Sequence, residues 1–87
     1  MRFDVQLSRS AERYLERLPR DVQRRVVSRL DQIGEDPFAA HTNPLAGPGG
    51  RRAARVGGQR IVFTVDRDRR IVEVSDIGPR GEIYRRQ

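Results

Sequence analysis

An α+β fold with the element order β-α-α-β-β-β is predicted for this 87-residue chain, as one domain spanning residues 1–87. Three observations predict it. A short alternating segment opens the chain. Two segments with helical apolar spacing follow. Three strand-like runs then close it, the first two joined by Gly57-Gly58.

Phe3, Val5 and Leu7 alternate with Arg2, Asp4 and Gln6, the pattern of a half-buried strand. Ser8 suits the N-cap of a helix over residues 9–18, whose Ala11, Tyr14, Leu15 and Leu18 are spaced i, i+3, i+4, i+7. Pro19 interrupts the pattern and fits the first turn of a second helix running to about Gly34. Val22, Val26, Val27, Leu30 and Ile33 form its inner face, and Arg20, Arg24, Arg25 and Arg29 lie mostly outside. Residues 35–50, rich in proline and glycine, read as a loop. Strand-like runs occupy about 51–57, 59–66 and 70–77. Gly57-Gly58 fits a type I′ turn, which needs positive φ at both central residues. Asp66-Arg67-Asp68-Arg69 makes a second, polar connection. The helical hairpin covers one sheet face and leaves the other to the arginines.

Composition narrows the chemistry. There is no cysteine, so there is no disulfide, thiolate metal site or cysteine nucleophile. No apolar run reaches the ~18 residues of a membrane span, and the first residues lack the apolar stretch of a signal peptide. A cytoplasmic protein without cofactor or metal is expected. The net charge is +6, and every basic residue is arginine. Residues 1–50 hold 8 arginines against 7 acids, whereas residues 51–87 hold 10 against 5. Codon usage can explain the missing lysine but not this placement. The arginine fork suits phosphate oxygens, so the second half points to nucleic acid or an acidic protein.

The ordered set of segments resembles the RelE/ParE superfamily of type II toxins, and the RelE-like branch in particular. LSRSAERYLERLPRDVQRRVVSRL looks like that family's helical hairpin. NPLAG, ARVGGQRIVFTVD and VSDIGPRGEIYRR look like its loop, central hairpin and final strand. The resemblance implies a small, mainly antiparallel four-stranded sheet. It implies a ribosome-dependent mRNA endoribonuclease that inhibits translation by metal-free cleavage through the 2′-hydroxyl. A cognate antitoxin that folds on binding is implied as partner, in a higher hetero-oligomer, with no membrane involved.

Catalytic positions carried over by the resemblance are Arg55, Arg60, Arg80 and Tyr84. Arg60 would face the transition-state charge, with Arg55 and Arg80 flanking the phosphate and Tyr84 orienting a nucleotide or a proton. Arg51, Arg52, Arg85 and Arg86 would add RNA binding. One position departs: Ala53 stands where RelE has a lysine, and on that alignment Arg52 points to the opposite face.

Proton transfer has no evident owner. Arginine stays protonated, with a pKa above ~12. The single histidine, His41, lies in the proline/glycine loop, away from the arginine set in sequence, and is expected to be an ordinary exposed loop residue. Two other functions fit the same fold: a ParE-like inhibitor of DNA gyrase, and a catalytically silent antitoxin-binding module.

Overall fold

The computed structural model describes residues 2–39 and 41–79. The elements are β1 (Asp4–Leu7), α1 (Arg9–Arg17), α2 (Arg20–Glu35), β2 (Thr42–Pro44), β3 (Arg52–Val56), β4 (Gln59–Asp66) and β5 (Ile71–Pro79). They form one sheet in the order β1-β5-β4-β3-β2, with β1 parallel to β5 and every other pair antiparallel. The α+β class and the helical hairpin are as expected, but the sheet has five strands. The extra one, β2, lies inside the segment read as a loop. It is three residues long and contains Pro44, so no alternation marked it. Proline is tolerated there because β2 is an edge strand.

Ser8 caps α1, its Oγ accepting from the Ala11 N–H at 3.1 Å. The same hydroxyl donates to the Ser75 carbonyl at 2.8 Å, tying the helix start to β5. Ser8→Ala should therefore cost about 1–2 kcal/mol, read from the shift in a urea unfolding midpoint. The helix ends at Leu18, which is extended (φ −71°, ψ 148°), as expected before a proline. Pro19 itself is the N-cap of α2 rather than its first helical residue.

Gly34 does not stop α2, which continues to Glu35. A Cβ at Gly34 would come within 3.0 Å of Val5 Cγ2, so its bareness lets β1 approach the helix. There the Gly34 carbonyl accepts from the Phe3 N–H at 2.6 Å.

The core lies between the helices and one sheet face. Ala11, Val26, Leu30 and Ile33 meet Ala54, Val56, Ile61, Phe63, Val72, Val74 and Ile77. Simple alternation along β5 would send Ile77 to the other face. A bulge corrects it: Val62 pairs with Asp76 and Phe63 with Val74, so Ser75 is skipped. The same bulge sets Asp76 and Gly78 on the face away from the helices.

At the β3–β4 turn, Gly57 has φ +56° but Gly58 does not take positive φ. The expected type I′ turn is replaced by one with only its first central residue in the left-handed region, as in type II′. Tyr14 of α1 holds this hairpin, its hydroxyl donating to Gln59 Oε1 at 2.5 Å.

Candidate nucleic-acid interface

Arg55 and Arg60 stand directly opposite each other across β3 and β4. Their neighbours Ala54, Val56 and Ile61 enter the core, so both arginines belong to the face away from the helices. Like charges directly opposite one another are destabilising in a sheet.

Their environments differ sharply. Arg55 is exposed, whereas Arg60 retains 2% of its accessible surface. Arg60 lies opposite Gly78, which has no side chain to compete for the space. Val62, next along that face, is 1% exposed, and Ala53 opposite it is 8% exposed. That face is therefore less open around Arg60 than the sequence suggested. A guanidinium fixed in such a place acts through a lower dielectric than one in water.

Asp76 was not singled out from sequence. The β5 bulge sets it opposite Val62 and diagonal to Arg60, a relation of about 7–8 Å in an antiparallel sheet. It is the half-buried carboxylate nearest the arginine pair by register. No sequence signal could have found it, because the bulge decides which way it faces.

Arg52 does not join this set. Its guanidinium donates to Thr42 Oγ1 at 3.0 Å and to the Thr42 carbonyl at 3.3 Å. It also lies 5.2 Å from the Phe38 ring centroid, with Arg67 on the same ring at 4.3 Å. These contacts tie β2 and the segment after α2 to β3. Arg51 is half-buried, and its carbonyl accepts from the Leu45 N–H at 2.8 Å. Arg80, Tyr84, Arg85 and Arg86 lie outside the described residues.

His41 is half-buried rather than exposed. It immediately precedes β2, whose Thr42 pairs with Ala54 beside Arg55. Sequence distance hid this neighbourhood. Among the described residues there is no group of three or more His, Asp or Glu that could hold a metal ion. None of their helices is long and apolar enough to cross a membrane.

The fold is that of the RelE toxins. The chain superposes on the toxin–antitoxin complex RelBE2 from Mycobacterium tuberculosis with a TM-score of 0.81, at 22% identity, covering 91% of this chain and 99% of the other. The RelE–RelB complex from Pyrococcus horikoshii OT3 gives 0.81 at 23% identity, covering 93% and 98%. The isolated E. coli RelE toxin gives 0.78 at 20% identity, covering 97% of each chain. No curated protein matches the sequence. Residues 5–84 match the family of the ParE toxin of type II toxin–antitoxin systems, parDE. The chain belongs to that family, and so to the RelE/ParE toxins of type II toxin–antitoxin systems.

Proposed function

We propose that this toxin is a ribosome-dependent endoribonuclease that stops translation by cutting mRNA without a metal. The observation that carries the reading is the cross-strand pair of Arg55 and Arg60, one exposed and one buried, on the face the helices leave free. An exposed arginine can capture a phosphodiester and bring it to a fixed one. Preorganised cations aimed at developing charge are typically the largest catalytic term in such reactions. Arg80 and Tyr84 would complete the site, with Arg51, Arg85 and Arg86 adding sequence-independent attraction.

The partner we infer is a cognate antitoxin with an acidic segment that folds on binding, in keeping with the +6 charge. The M. tuberculosis and P. horikoshii structures with this fold are toxin–antitoxin complexes.

Primer extension on a reporter mRNA with purified ribosomes tests the reading. New 5′ ends at the A site are expected, and none without ribosomes. A second reading, a ParE-like inhibitor of DNA gyrase, has its own support: the matching family is described by the ParE toxin of parDE. Intact mRNA together with blocked supercoiling by purified gyrase would establish that reading and discard the nuclease.

A further inference from the structure

We propose that His41 is the catalytic base of the RNA cleavage, placed beside Arg55 by the short strand β2. The proposal rests on the ribonuclease reading and supplies the proton acceptor that the arginines cannot.

The register carries the placement. Asn43 pairs with Ala53 and Thr42 with Ala54. His41 is the turn residue that leads into β2, and the antiparallel pairing of Thr42 with Ala54 brings it toward Arg55, the residue after Ala54. Alternation then assigns the face. Thr42 is buried and pairs with the core residue Ala54. The next residue of β2, Asn43, therefore belongs to the face of Arg55 and Arg60, and we set His41, which leads into the strand, there too. Arg55, Arg60 and Gly78 thus run in one row across the sheet, and His41 enters β2 at the Arg55 end of that row.

The position is also held. The Thr42 N–H donates to the Ala39 carbonyl at 3.0 Å, closing a turn around His41. The Thr42 hydroxyl donates to the Pro37 carbonyl at 2.9 Å while accepting from Arg52 at 3.0 Å. Arg52, absent from the cationic set itself, positions the strand that delivers the histidine. His41 Nε2 is buried with no hydrogen-bond partner among the described residues. Histidine is the side chain that ordinarily changes charge between about pH 5 and 8, and this chain has one.

The step is a transesterification. The 2′-hydroxyl proton passes to the His41 imidazole as the 2′-oxygen bonds to phosphorus. The bond from phosphorus to the 5′-oxygen breaks, and the departing oxygen takes a proton from water. The imidazolium returns its proton to solvent. The products are a 2′,3′-cyclic phosphate and a 5′-hydroxyl. Arg55 and Arg60 meet the negative charge that builds on the phosphoryl oxygens.

The test is single-turnover cleavage of mRNA on programmed ribosomes between about pH 5.5 and 8, for wild type, His41→Gln and His41→Ala. The wild-type rate should rise with pH across this range, because a base acts unprotonated. His41→Gln should cut about 10²-fold more slowly or worse and lose that rise, with unchanged affinity for a single-stranded RNA oligonucleotide. Added imidazole should restore part of the rate of His41→Ala. A variant that cuts at the wild-type rate with the wild-type pH profile overturns the assignment alone. So does a slow variant that keeps the pH profile and ignores imidazole, which marks a structural role. If wild type leaves mRNA intact on ribosomes, the ribonuclease reading falls and the base falls with it.

Discussion

Arg60→Ala should lower the single-turnover rate of mRNA cleavage by about 10²–10³-fold, the usual effect of removing one preorganised group from a transition-state charge site. The size follows from burial. At 2% exposure the guanidinium is screened by little water, so its field at a bound phosphoryl group is stronger than that of an exposed arginine. Arg55, exposed on the opposite strand, should matter less to the rate and more to capture of RNA. Its neutralisation should flatten the salt dependence of RNA binding by about one phosphate contact. Arg60→Lys separates charge from shape. A lysine keeps the charge but not the planar fork, and should fall between wild type and alanine. The melting temperature of each variant is the control. Truncation loses packing of the buried side-chain stem, so the stability of the variant is read beside its rate. A folded Arg60→Ala protein that cuts at the wild-type rate would remove Arg60 from the site.

Much of this architecture is legible in the sequence because it rests on local rules. Ala11, Tyr14, Leu15 and Leu18 show the helical period, and Phe3, Val5 and Leu7 show the strand period. The Gly57-Gly58 pair marks a hairpin and so fixes Arg55 opposite Arg60 without any knowledge of the rest. What escaped depends on pairing between distant segments. Thr42–Pro44 is a strand only because β3 offers it an edge. Asp76 and Ile77 exchange faces only because Ser75 is skipped, and nothing near Ser75 announces that. The burial of Arg60 and the place of His41 at the entry to β2 have the same origin. Both are consequences of register, which no local periodicity records.

Phe63→Ala should be the most damaging single truncation in the core, costing about 3–5 kcal/mol. Phe63 is fully buried, and it pairs with Arg52 on one side and Val74 on the other. It therefore sits at the centre of the sheet, beneath the helices. The domain cannot absorb such a loss easily. At roughly 0.05–0.15 kcal/mol per residue, a chain of this length has only about 4–13 kcal/mol of stability. The core is also one-sided: Val26, Leu30 and Ile33 reach it from α2, and Ala11 from α1. Few large side chains are available to collapse into the space, so the cavity should persist rather than close. Urea unfolding followed by circular dichroism would show the midpoint move sharply at an unchanged slope. The consequence reaches the site, because Ile61 and Phe63 are the inward residues of the strand whose outward residue is Arg60. Loss of Phe63 should lower the activity of Phe63→Ala only in proportion to the unfolded fraction. Recovery of the rate per folded molecule at low temperature would separate this effect from that of Arg60→Ala, whose defect should persist however stable the fold.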